Sequence, residues 1–466
     1  MKMTDHIYES LAHWGKHPAF IEVGTDKPAV YYSAADFKER IDGIKNILIK
    51  SGIRRNYIVS MFLLNSVDFA AIFLALIDIG AKPIPMNLAF RTTELDEIFS
   101  NAMPHAIIAE SIIMPLVKLY AKGAIVFEHA DGKLNMYTPD DNSLRREPAD
   151  ISDDIASINY TYRGYGYPLG VLVPHSQYIE GAVNIETAVQ VQAGMNMLAI
   201  MPFWYMFPLV VSLMISLLYK LTTTISSTLN PLHLFDFIDT YKVNVIAAVP
   251  ELYELMFNFM DQSSGLPSLT DFMGGGSSIT DESFIKITNA FKHVVFGLGY
   301  GLTECTPVCS HIRHKARVGT IGPPSGIIEC RIASPDPNSA GELEIRTPHM
   351  AKLYYHRPKE TAEAFEQDWF KTGDIGMIKD GHIIFIREKK KTRKVKGNMV
   401  DLEESRKALL TCPNVREAVV ECSNNLLSAR IGVESGIDIE KESVEIKKFL
   451  ENRIARYKIP KMITKL

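Results

Sequence analysis

The feature that most constrains the fold is the alternation of continuous apolar runs with helix-spaced segments. YIVSMFLL (57–64), HAIIAE (105–110), VNVIAAVP (243–250) and HVVFGLGYG (293–301) are short and almost uninterrupted in hydrophobicity, as strands buried on both faces must be. DFAAIFLALIDIG (68–80) carries apolar residues at helical spacing and stops at Gly80, a residue that ends helices readily. TTELDEIFSNA (92–102) opens with Thr92 or Thr93 ahead of Glu94 and Glu97, a helix-start signal. AKPIPMN reads as a strand and a turn. The alternation predicts an α/β fold: a large N-terminal domain with mainly parallel sheets flanked by helices. After about Glu329 the pattern changes. CRIAS, GELEIRT and GHIIFIRE alternate between turn signals, which predicts a small antiparallel, β-barrel-like part over 328–386. A dense basic run and a small α/β unit follow. We therefore place an N-terminal domain over 1–386 and a small C-terminal domain over 387–466, divided at about Ile386–Lys390.

Composition narrows the function. The chain has 466 residues, 47% of them hydrophobic, enough for sizeable cores. A formal net charge of -4 gives no basic field for nucleic acid. Five cysteines form no pair of CxxC motifs, so a reducing, cytoplasmic setting is expected. The N-terminus shows no long apolar h-region. Leu198–Tyr219 is uncharged and long enough to span a bilayer. Pro202 and Pro208 interrupt it, which predicts a buried strand, a turn and a buried helix rather than a transmembrane segment.

Several short motifs could carry chemistry, and each has a plainer structural meaning. INYTYRGYGYPLGV (158–171) packs glycines into a turn, as a phosphate cradle does, yet tyrosines fill it. YGLTE (300–304) sets the Thr303 hydroxyl beside the Glu304 carboxylate after a strand; strand ends in parallel sheets bind ligands, and a carboxylate can hold Mg²⁺. It could equally be a strand-to-turn junction. WFKTGDIG (369–376) holds Asp374 in a glycine-flanked turn, suited to ribose hydroxyls or simply to capping a hairpin. MGGGSSIT (273–280) lets a ligand approach backbone, or is a flexible loop.

In their joint order these segments resemble the adenylate-forming, AMP-binding superfamily: acyl- and aryl-CoA synthetases, nonribosomal-peptide adenylation domains and luciferases. IGAKPIPMNLAFRTTELDEIF, INYTYRGYGYPLGV, GGGSSIT, GYGLTE, VGTIGPP, GELEIRTP, LYYHRPKETAEAF, WFKTGDIG, VKGNMVDLEE and ARYKIPKMI follow in family order, from about residue 15 to the last residue. The resemblance implies a mobile C-terminal domain and ATP-dependent activation of a carboxylic acid, fatty or aryl, as an acyl-adenylate. The acyl group then passes to the thiol of CoA or to the phosphopantetheine of a carrier protein. It implies nucleotide contacts from Thr161, Arg163, Gly164, Gly166, Gly275, Gly276, Tyr300, Gly301, Thr303, Asp374 and Arg387. Thr303 and Glu304 would be catalytic, Glu304 would coordinate Mg²⁺, and Lys390 would lie near the hinge.

The chain also departs from the family pattern. Where the family has Ser-Gly-Thr-Thr, this sequence has Tyr162-Arg163-Gly164-Tyr165, and Leu169 replaces a lysine. Arg163 could supply the lost charge as a bidentate phosphate partner, or it could be a solvated loop residue. Tyr205 stands where the family often has histidine. The family's C-terminal lysine would lie beyond YKIPKMITKL, and neither Lys461 nor Lys465 sits in its context. The run from Arg387 to Lys396 is either a solvated hinge or an attraction for CoA phosphates or an acidic carrier protein. The alternative to a full ligase is an impaired homologue that binds AMP, an acyl-adenylate or a partner, or that performs only thioester formation.

Overall fold

A computed structural model describes the chain except residues 1, 25–27, 138–145, 227–230, 260–265, 278, 306–308, 311–319, 335–338, 390–391, 396–397, 424 and 435–436. The first parallel sheet is ordered Lys82–Pro85, Ile58–Phe62, Ala106–Glu110, Ile125–Ala130, with the antiparallel strand Lys133–Tyr137 at its edge. The second has eight strands in the order Cys309–Ser310, Val295–Tyr300, Asp271–Gly275, Val245–Ala248, Asn196–Ala199, Thr222–Ser226, Phe20–Val23, Val30–Tyr32. Its interior pairings are parallel and its two edges antiparallel.

Helix Val67–Ile79 shows why the sequence folds this way. Its N-cap Ser66 accepts the Phe69 N–H at 3.0 Å, and Gly80 ends it at φ +87°, a backbone state that costs glycine little. Its residues from Val67 to Ile77 are buried; a helix apolar on all sides belongs in an interior. Leu198–Tyr219 resolves as expected into the end of strand Asn196–Ala199, a turn, and a buried helical stretch from Met206 to Tyr219. Among the described residues no helix is long and apolar enough to cross a membrane.

The antiparallel part pairs Glu329–Ala333 with Gly341–Arg346, and Gly341–Arg346 with Trp369–Lys379. His382–Glu388 also lies against Trp369–Lys379, so this sheet reaches Glu388. A closed ring of strands is not traced among the described residues. The small C-terminal unit has its own core, from Val395 to Ile463, under the sheet Val415–Ser423, Leu426–Val433, Met462–Lys465. Hairpin Ile155–Tyr162/Pro168–Pro174 forms a two-stranded sheet of its own. Its tip carries the tyrosine-rich turn. Opposite Thr161, Leu169 is fully buried in the main core, so the position of the family's lysine is a packing position here.

One buried network makes a prediction about stability. His129 Nε2 lies 2.8 Å from Asp68 and Nδ1 3.1 Å from Glu110, and Asp68 also pairs with Arg40. Burial works against the imidazolium, but the two carboxylates win and raise its pKa from 6.5 to about 9. A raised pKa stabilises the fold fully below pH 6.5 and is lost as pH climbs towards 9. Urea unfolding at pH 6 and pH 9.5 is expected to show a loss of about 2–3 kcal/mol from this group, and His129→Gln removes that slope.

Candidate active site

Two cavities meet at the carboxyl ends of the parallel strands, where open α/β sheets bind ligands. Strand Asp271–Gly275 ends in two glycines, and Tyr300 at the end of Val295–Tyr300 stands between Gly299 and Gly301. Gly276 takes φ +81°. A Cβ on Gly275 would lie 2.8 Å from the Phe207 ring, so that ring rests directly on the strand. The first cavity, about 220 Å³, is lined largely by apolar side chains including Ile185, Met201, Trp204, Phe207, Val211 and Leu298. Met399 and Tyr457 of the small unit complete its wall. The second, about 850 Å³, is polar and includes Glu251, Ser277, Thr372, Asp374, Arg387 and Lys389. Its size falls in the usual range for small-molecule clefts, roughly 300–1,000 Å³. Thr161, Tyr162, Gly276, Gly299, Tyr300, Gly301, Leu302 and Met399 belong to both walls.

Most of the residues expected at a nucleotide site are therefore brought together. Tyr300 donates its hydroxyl to Asp374 Oδ2 at 2.6 Å, and burial pushes its pKa far up, reinforced by the Asp374 charge. Asp374 is nearly buried, and its backbone N–H donates to Thr372 Oγ1 at 3.0 Å. Arg387 is exposed at the rim, one residue along the paired strand. Thr303 lines the apolar cavity, and its carbonyl accepts from Gln177 at 2.9 Å. Gly275 lies beneath Phe207 and lines neither cavity; Gly164 and Gly166 line neither either. Lys390 lies outside the described residues. In the basic run, Lys389 pairs with Glu342 at 2.7 Å and Arg393 with Glu388 at 3.6 Å.

Two expectations need correction. Arg163 is not a solvated loop residue: it lines the polar cleft, and its charge is already met by protein groups. It is 6% exposed, its Nε lies 3.4 Å from Glu304 Oε1, and its guanidinium donates to the carbonyls of Lys371 and Thr372 and stacks over Phe370. Burial opposes its charge, yet Glu304, followed by Tyr354 and Asp374, holds its pKa above the ordinary arginine value. Glu304 in turn does not fit a Mg²⁺ site. Its side chain is fully buried, and Oε1 accepts the Tyr354 hydroxyl at 2.6 Å with the Arg163 guanidinium 3.4 Å away. Among the described residues no cluster of three or more His, Cys, Asp or Glu side chains could hold a metal.

The tyrosine-rich turn is a seat for the small unit, which sequence reasoning missed. Lys458 is fully buried, 3.0 Å from Glu94 and 2.7 Å from Glu404, and it donates to the Tyr162 hydroxyl at 2.8 Å. Tyr162 donates to Glu404 at 3.0 Å. Burial pushes the Glu404 carboxyl up; Lys458 is held above its ordinary value, against burial, by Glu404 and Glu94. The Gly166 N–H donates to Asp401 Oδ2 at 2.8 Å. Tyr205, at the family's histidine position, donates to Asn398 at 2.8 Å and accepts from Asn87 at 3.2 Å. The Asn87 amide also reaches the Tyr457 hydroxyl at 3.2 Å. The only advance signal was the segment ARYKIPKMI itself, which does not say where Lys458 points.

The Arg163–Glu304 pair can be tested by a double-mutant cycle. Arg163→Met strands a buried carboxylate and is expected to cost about 3–5 kcal/mol in denaturant unfolding. Arg163→Met with Glu304→Gln is expected to recover much of that loss, because no charge is left uncompensated.

A family model described as AMP-binding enzyme matches residues 7–355. A 4-coumarate-CoA ligase of Narcissus pseudonarcissus is 23% identical, over 98% of this chain and 89% of its own. A long-chain-fatty-acid–CoA ligase of Mycobacterium tuberculosis is 25% identical, over 96% and 90%. Among solved structures, an amide bond synthetase of Marinactinospora thermotolerans superposes with a TM-score of 0.86 at 16% identity, covering 100% of this chain and 96% of that one. An o-succinylbenzoate CoA synthetase of Bacillus subtilis, bound to a product analogue, gives 0.82 at 18%, covering 98% and 93%. The chain belongs to the AMP-binding enzyme family and has its α/β fold.

Proposed function

We propose that this chain joins an apolar carboxylic acid, fatty or aryl, to the thiol of CoA through an acyl-adenylate. The observation that carries the reading is the wall from Gly299 to Leu302, shared by an apolar cavity and a polar cleft. A mixed anhydride of an acid and AMP is a molecule with one apolar arm and one polar arm, joined at a phosphate. The relatives named above, CoA ligases of an aryl and of a fatty acid, support the same chemistry.

In this reading Tyr300 lies along the adenine, and Asp374 with Arg387 binds the ribose. The Thr303 hydroxyl faces the α-phosphate. Trp204 and Phe207 enclose the acyl group. The acid carboxylate attacks the α-phosphorus of ATP and pyrophosphate leaves. The thiol then attacks the acyl carbon, AMP leaves with the bonding pair, and the thiol proton passes to solvent. Positioning supplies much of such rate enhancement. A second reading, thioester formation from a ready-made acyl-adenylate, is favoured by the buried Arg163–Glu304 pair and the core position of Leu169.

Mass spectrometry of reactions with ATP, CoA and a panel of fatty and aryl acids is expected to show acyl-CoA and AMP for at least one acid. If neither ATP with acid nor synthetic acyl-adenylate yields thioester, the proposal fails. Asp374→Ala is expected to weaken AMP binding by about 10- to 100-fold, the range of a hydrogen bond to a charged group; unchanged affinity in calorimetry contradicts the ribose role.

A further inference from the structure

Glycine turns hold phosphates because their backbone N–H groups point at an anion. The turn at Tyr162–Tyr167 does hold an anion, and it comes from the chain itself. Gly164 and Gly166 take φ +83° and +79°, and the Gly166 N–H donates to Asp401 Oδ2 at 2.8 Å. Asp401 is fully buried. Its other oxygen caps helix Leu402–Leu410, accepting the N–H groups of Glu403 at 2.9 Å and Glu404 at 3.3 Å. A Cβ on Gly166 would lie 2.7 Å from Lys407 Nζ and 3.2 Å from Glu403 Cγ, so the small unit rests against the turn.

The turn's own side chains are committed elsewhere. Tyr162 engages Glu404 and Lys458, and Arg163 faces inward to Glu304. The Tyr165 hydroxyl donates to Glu363 at 2.8 Å, and that of Tyr167 to Glu360. These contacts tie the turn's polar side chains to protein partners, even where Tyr162 and Arg163 also line the cleft. Asp374, Tyr300 and Arg387 line the cleft as well, at the end where a nucleoside monophosphate would lie.

We propose that the Asp401 carboxylate is an internal stand-in for a phosphate: it fills the anion seat of the turn, so the docked chain takes an adenosine monophosphate ester and excludes the outer phosphates of ATP. This rests on the reading of the cleft as an adenylate site and names which adenylate it accepts. Two anions cannot share one seat without a cost in repulsion and desolvation. ATP therefore binds only with displacement of Asp401, whereas AMP or an acyl-adenylate binds without it.

Calorimetry on the whole chain, without added metal, with AMP, ATP and an acyl-sulfamoyl-adenosine tests this. The wild type is expected to bind AMP and the sulfamoyl compound about tenfold or more tighter than ATP, the equivalent of one charge-assisted hydrogen bond. Asp401→Asn keeps an oxygen to cap the helix and removes the charge from the seat; its amide hydrogens cannot accept from Gly166. It is expected to close most of the gap between ATP and AMP while leaving AMP affinity unchanged. Equal binding of ATP and AMP by the wild type, or a gap unaltered in Asp401→Asn, overturns the role of Asp401 and leaves the adenylate cleft standing. Failure of all three ligands to bind overturns both. If Asp401→Asn does not fold, the wild-type preference alone decides.

Discussion

The arrangement depends on one ammonium group. Lys458 has no exposed surface, and its charge is met by Glu94 from the large domain and Glu404 from its own. Desolvating an ion costs several kcal/mol even after relaxation, and only close partners offset it. Glu94 also accepts the backbone N–H of Ala455 at 2.7 Å, so one carboxylate fastens both a side chain and the backbone beside it. Moving the small unit in this molecule therefore means resolvating an ion cluster. With that cluster in place, Met399 and Tyr457 stand in the apolar cavity wall and Asp401 reaches the turn.

The hairpin turn lies between two buried ionic groupings. On one side Arg163 crosses to Glu304; on the other Tyr162 joins Lys458 and Glu404. Tyrosines suit this place. Their rings fill volume that small hydroxyl residues would leave open, and their hydroxyls still satisfy acidic partners at a distance. The same substitutions that weaken the case for a phosphate cradle build the case for a domain interface. The position of Leu169 fits this account: with the turn turned to packing, a lysine there would bury an unpaired charge in the main core.

Much of the scaffold was legible because it is encoded locally. Helix Val67–Ile79 follows from an apolar run between Ser66 and Gly80, and helix Thr92–Ala102 from its own residues. Asp374, Tyr300 and Arg387 could be grouped because each lies in a recognisable segment of a family pattern. Arg163 could not be placed, because its partner Glu304 comes from a strand end far along the chain and its carbonyl acceptors from a third sheet. Glu94 read only as a helix-start residue, which it is: it accepts the Arg91 N–H at 2.9 Å. Its second task, holding Lys458, is a long-range contact that no local spacing records. Tyr205 was noticed as a replacement for histidine, but its reach to Asn398 across the domain junction is visible only in three dimensions.

The most direct measurement is a crystal structure with an acyl-sulfamoyl-adenosine carrying a short aryl or alkyl acyl group. The account predicts the ribose on Asp374, adenine along Tyr300, the acyl group between Trp204 and Phe207, and Asp401 still bonded to the Gly166 N–H. A ligand seated elsewhere, with the cleft and the apolar cavity both vacant, contradicts it.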